Sequence, residues 1–172
     1  MPGRPVKERV EYVYQETTKR KLGRMIESLQ IGDKAKFSKR INDRDVHLYM
    51  GVTGDMNPIY IDRNYASRTH FKEPIVPGII LAGLIVAVIS NELPGQGSIT
   101  VSQQFNFMAP VRWKEMITTE VEVIAVDREK NRVTLRTVCR RQNGAMVVSG
   151  ESVVMPPLRL KSIMSYAFED YN

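Results

Sequence analysis

The sequence predicts an α+β fold: one long apolar helix packed against a curved antiparallel sheet of about five strands. Three observations predict it. The run Ile75 to Ile89 is almost wholly apolar, as a buried helix would be. Beyond Pro94-Gly95 the hydrophobic period changes from helical to two. The alternating stretches that follow are separated by turns too short for anything but antiparallel neighbours.

Residues 1–29 form a basic N-terminal arm. Its apolar positions, Val6, Val10, Val13 and Tyr14, then Leu22, Met25, Ile26 and Leu29, have helical spacing interrupted at Thr17-Thr18, which reads as two short helices. The central domain spans 30–158. A Gly32-Asp33 turn leads into KAKFSKRI, a strand with a polar outer face. Asn42 or Asp43 caps a helix through DRDVHLYMGVTG, with Val46, Tyr49 and Met50 on one side and Gly54 as its stop. Loop and short helix fill 55–73. The apolar helix runs from about Gly78 to Asn91, and its small residues Gly78, Ala82, Gly83 and Ala87 let a sheet approach the backbone and bury the helix on every side. Then come SITVSQQFNF, ITTEVEVIAVD, RVTLRTVCRR and AMVVSGESVVM, with turns at Asp127–Asn131 and Asn143-Gly144. Residues 159–172 are a C-terminal tail.

Composition excludes several classes. A chain of 172 residues is long enough for one buried core. Its 25 basic and 19 acidic residues give a net charge of +6, which suits an anionic ligand, and the excess is concentrated in residues 1–24. The single cysteine, Cys139, excludes a disulfide framework and fits a reducing, cytoplasmic setting. The longest apolar run falls short of the roughly 20 residues a membrane span needs. No phosphate-binding loop, GxSxG elbow, HExxH pair or cysteine pair is present, so neither a cofactor nor a metal is expected. His47 lies in a helix beside its apolar stripe, where surface or packing is the ordinary role; His70, in THFKEP, meets solvent or a ligand phosphate.

The segment GDMNPIYID carries the chemistry. Gly54 ends a helix, Asp55 and Asn57 are residues that turns favour, and Pro58 fixes the exit. The stretches YMGVTGDMNPIYID, FKEPIVPGIILAGL and LPGQGSITVSQQFNFMAPV together resemble the MaoC-like hydratase/dehydratase family, which has a hot-dog fold and includes (R)-specific enoyl-CoA hydratases. The likeness covers roughly residues 30–156 and keeps three segments in order. It implies syn addition of water to a trans-2-enoyl thioester, or the reverse dehydration. The family signature is Gly-Asp-x-Asn-Pro-x-His-x-Asp, whose Asp and His position water and move its protons. Here Asp55 matches the aspartate, Asn57 and Pro58 the turn and Asp62 the closing acid, while Tyr60 stands at the histidine position. Pro77 and Gly83 replace a second frequent histidine and a serine.

The resemblance therefore assigns catalysis to Asp55, Tyr60 and Asn57, and acyl-thioester binding to Pro77, Gly78, Ile79 and Gly83. An apolar groove would raise the proton affinity of Asp55, and backbone N–H groups near Gly78 would face the thioester carbonyl. A phenol of reference pKa about 10 exchanges protons less readily than an imidazole of about 6.5. Two alternatives stand beside the hydratase: a non-catalytic acyl-thioester-binding subunit of a MaoC-like hetero-oligomer, and a hot-dog acyl-CoA thioesterase. A sensor with a DNA-reading arm is disfavoured by the arm's shortness. The expected partners are an acyl-CoA or acyl-carrier-protein thioester and further copies of the chain, with no nucleic acid and no membrane; Arg112, Lys114, Arg140 and Arg141 are available to phosphates or an acidic carrier.

Overall fold

The computed structural model describes residues 22–158. The first arm helix and the C-terminal tail expected from sequence lie outside the described residues. The second arm helix is a single 3-10 turn, Ile26–Ser28. It is placed by packing rather than by propensity: Ile26 and Leu29 are buried in the core, and Gly23 and Arg24 donate their N–H groups to Gln96 and Pro94.

Five strands, β1 (Lys34–Arg40), β2 (Ile99–Phe107), β3 (Met116–Asp127), β4 (Arg132–Arg141) and β5 (Met146–Met155), form one antiparallel sheet in the order β1-β3-β4-β5-β2. The period-two pattern does what it should. Ile117, Thr119, Val121 and Val123 of β3 alternate with partly exposed neighbours and face inward, as do Val133, Leu135, Thr137 and Cys139 of β4. Three irregularities in register, between Thr100 and Ser102, Val123 and Ala125, and Cys139 and Arg140, add local bend and twist to the sheet.

Four helices complete the domain: α1 (Asp43–Thr53), α2 (Pro58–Ile61), α3 (Arg63–Arg68) and α4 (Gly78–Asn91). Asp45 closes the start of α1 by accepting the Asn42 N–H at 2.8 Å, and Val46 and Met50 bury its inner face. The long helix α4 lies across the sheet and touches β1, β2, β3 and β4. Leu81, Leu84, Ile85, Val88 and Ile89 are buried along it, each contributing about 1.5–3 kcal/mol.

One expectation about α4 is corrected. The helix is not enclosed on every side: Ile79 is 54% exposed, and a Cβ at Gly83 would meet nothing within 4 Å. Its small residues therefore serve different ends. Gly78 does permit close approach, since a Cβ there would stand 2.9 Å from the Phe107 ring, whereas Gly83 faces outward.

Candidate active site

The GDMNPIYID segment is a chain of local hydrogen bonds that fixes one carboxylate. Gly54 ends α1 in the left-handed region, with φ of 72° and its N–H on the Met50 carbonyl at 2.8 Å; a side chain is disfavoured there. The reversal carries Asp55 back toward the helix it has just left. Asp55 Oδ2 accepts the Tyr49 hydroxyl at 2.9 Å, and Oδ1 accepts the Asn57 N–H at 3.2 Å. The Asp55 N–H is taken by Thr53 Oγ1 at 3.2 Å. Asn57 then caps α2 by accepting the Ile59 N–H at 3.3 Å, with Pro58 at the first helical position. Asp62 plays the same part for α3, accepting the Asn64 and Tyr65 N–H groups at 2.8 and 3.0 Å. Its role is structural.

Tyr60 projects from α2 and packs against the core while lining a cavity of about 480 Å³. Phe71, Ile75, Ile79 and Phe107 give that cavity apolar walls, and Gly78 brings the start of α4 to it. Two backbone links bind these parts together: Ile75 N–H to Ile59 O at 3.2 Å and Val76 N–H to Val111 O at 2.7 Å. Pro77 is buried at the N-cap of α4, where no side chain caps the helix, so its first N–H groups remain available.

Burial pushes the Tyr60 phenol above its ordinary pKa, and the negative charge of Asp55 pushes it further. Tyr49 is raised by burial and then by its hydrogen bond to Asp55. Both phenols are therefore neutral donors through the physiological range.

Asp55, Asn57 and Tyr60 are thus one local unit, and Gly78 and Ile79 share the Tyr60 cavity. Gly83 does not line it. It sits further along the exposed face of α4. His47 is exposed, with Nδ1 2.8 Å from the Asp43 carbonyl oxygen; His70 is exposed and lies tilted against the Phe71 ring, with centroids 3.8 Å apart and planes at 41°. Among the described residues no group of three or more His, Cys, Asp or Glu side chains is arranged to hold a metal, and no helix is long and apolar enough to cross a membrane. Sequence reasoning missed Tyr49 as a partner of Asp55. Its place on the inner stripe of α1 suggested packing, although it stands just before the Gly54 reversal that could return Asp55 to it.

Residues 27–143 match the model of the MaoC like domain. The chain is 40% identical over 131 residues to the (R)-specific enoyl-CoA hydratase of Aeromonas caviae, covering 76% of this chain and 98% of that protein. It is 40% identical over 133 residues to the enzyme of the same name from Rhodospirillum rubrum, covering 77% and 92%. Among solved structures, an R-hydratase from Pseudomonas aeruginosa in the unliganded form superposes with a TM-score of 0.75 at 36% identity, covering 82% of this chain and 94% of that one.

Proposed function

The chain belongs to the MaoC-like dehydratase family, and on that premise we propose that it is a lyase hydrating trans-2-enoyl-CoA thioesters to (R)-3-hydroxyacyl thioesters, and dehydrating them in reverse. The observation that carries the proposal is Asp55, held by Tyr49 and the Asn57 N–H in the same turn whose Asn57 carbonyl accepts the Tyr60 N–H at 3.1 Å, Tyr60 lining an apolar cavity that begins at the uncapped start of α4.

In the hydration direction Asp55 accepts a proton from water as the water oxygen bonds to C3 of the enoyl group. The double-bond electrons move toward the thioester oxygen, where N–H groups at the start of α4 and the helix dipole stabilise the enolate. The protonated Asp55 then delivers its proton to C2 on the face that water entered. The addition is syn, and the carboxylate is restored. Tyr60, neutral and donating, orients the water; Asn57 sets the turn that holds Asp55. Ile79, Phe107 and Ile75 line the path of the acyl chain.

The reading extends to assembly and setting. β2 is a sheet edge with Ile99, Val101 and Phe107 exposed, which supports a homodimer or larger homo-oligomer. The buried, unpaired thiol of Cys139 supports a cytoplasmic location.

Loss of enoyl-thioester absorbance tests the proposal, with the parent, Asp55→Asn and Tyr60→His compared side by side. The parent turns over a short enoyl-CoA, and Asp55→Asn loses about 100-fold or more. Equal rates in those two chains would remove Asp55 from the mechanism. An inert parent made active by Tyr60→His would identify a non-catalytic subunit instead.

A further inference from the structure

A second cavity, of about 420 Å³, lies behind the wall of the first. One short segment separates them: Phe71 and Ile75 face the acyl groove, whereas Lys72, Glu73 and Pro74 face the second cavity, with Arg63, Trp113 and Lys114 opposite. Its charge is unbalanced. Glu73 is occupied by Arg112, whose Nε lies 2.5 Å from Oε1, so Glu73 is neutralised from outside the cavity. Among the described residues no carboxylate pairs with Arg63, Lys72 or Lys114. The other cations that sequence reasoning offered to phosphates are engaged elsewhere: Arg141 pairs with Glu115 at 3.2 Å, and Arg140 donates to Gly144 O at 3.3 Å.

Arg63 is oriented by a side-chain contact, and the backbone at Lys72 and Lys114 is constrained. Arg63 lies over the Trp113 ring, 5.7 Å from its centroid, which orients its planar fork. Lys72 and Lys114 have φ of 66° and 69°, and Asn131 is the only other non-glycine residue with positive φ among those described. The left-handed region costs energy for a lysine, and such strain persists where surroundings over-determine it. At Lys114 they do: its N–H is bound to Ile41 O at 2.7 Å and its carbonyl accepts Arg40 at 2.6 Å.

We propose that this cavity binds the phosphorylated nucleotide end of coenzyme A, with Arg63, Lys72 and Lys114 on its phosphates and Trp113 holding Arg63 at their mouth. The inference rests on the hydratase reading, which puts the thioester in the adjoining groove; the pantetheine arm then crosses the wall at Phe71–Ile75. Arg63, Lys72 and Lys114 are all exposed, so the phosphates of a nucleotide can reach each of them from solvent.

Trp113 is the only tryptophan in the chain, so its fluorescence reports on this site alone. Adenosine 3′,5′-diphosphate should change that fluorescence saturably in the parent and not in Lys72→Glu or the milder Lys114→Gln. Both variants should raise KM for a short enoyl-CoA about tenfold and leave kcat/KM for the matching enoyl-pantetheine unchanged, a split that a folding defect would not produce. The inference is overturned if the nucleotide leaves Trp113 fluorescence unchanged, if both thioesters weaken equally, or if only a carrier-protein thioester is affected; turnover of enoyl-pantetheine in any of these cases leaves the hydratase reading standing. A saturable nucleotide response without turnover of any thioester would sustain the nucleotide site and sink the hydratase reading.

Discussion

The Tyr49 hydroxyl donates to Asp55 Oδ2 at 2.9 Å, across the Gly54 reversal that separates a helix from the turn it feeds. A hydrogen bond to a charged group contributes about 1.5–3 kcal/mol, here spent on orientation of the proposed base. Tyr49→Phe keeps the ring packed against the core and removes only the hydroxyl. We expect kcat/KM for a short enoyl-CoA to fall about tenfold or more, with a loss of stability no larger than that one hydrogen bond. Unaltered kcat/KM would show that the contact does not position Asp55.

The two phenols near Asp55 make stability sensitive to alkali. Their folded pKa values lie above the ordinary 10.0, so beyond about pH 10 the unfolded chain loses these protons first. Their contribution is fully present below the unfolded pKa and is lost as pH rises through the folded values. Denaturant titrations of the parent should therefore show stability falling above about pH 10. Tyr49→Phe and Tyr60→Phe should each flatten that fall, and identical slopes in all three chains would contradict it.

Two glycines separate stability from function. A Cβ at Gly150 would overlap the carbonyl of Gln104, backbone of the paired strand β2, and a backbone atom cannot swing aside. Gly150→Ala should cost about 3 kcal/mol or more and disturb the β2–β5 pairing. At Gly78 the obstacle at 2.9 Å is the Phe107 ring, which is 54% exposed and can move. Gly78→Ala should cost under about 1 kcal/mol and raise KM several-fold as the ring shifts in the acyl groove. Equal losses of melting temperature in the two variants would refute the distinction.

Much of the fold was legible because its signals are local. The apolar run gave helix α4 its limits, and alternation gave the four later strands nearly to the residue. The Gly54 stop and the Asn57-Pro58 start depend on turn and cap chemistry within a few residues. The second arm helix misled for a related reason: Leu22, Met25, Ile26 and Leu29 have helical spacing, but docking of Gly23 and Arg24 onto the Pro94–Gln96 turn holds that segment extended.

By itself the sequence determined the kinds and order of the elements, and the carboxylate turn they carry, since periodicity, capping and turn formation are settled among near neighbours. Folding in three dimensions determined which face of α4 stays open, that Tyr49 rather than Tyr60 hydrogen-bonds Asp55, and that Lys72 and Lys114 line one cavity from distant parts of the chain. Those outcomes depend on strand register and on how α4 lies across the sheet. Side chains far apart in the chain meet only once that packing is complete, and no one-dimensional pattern records the meeting.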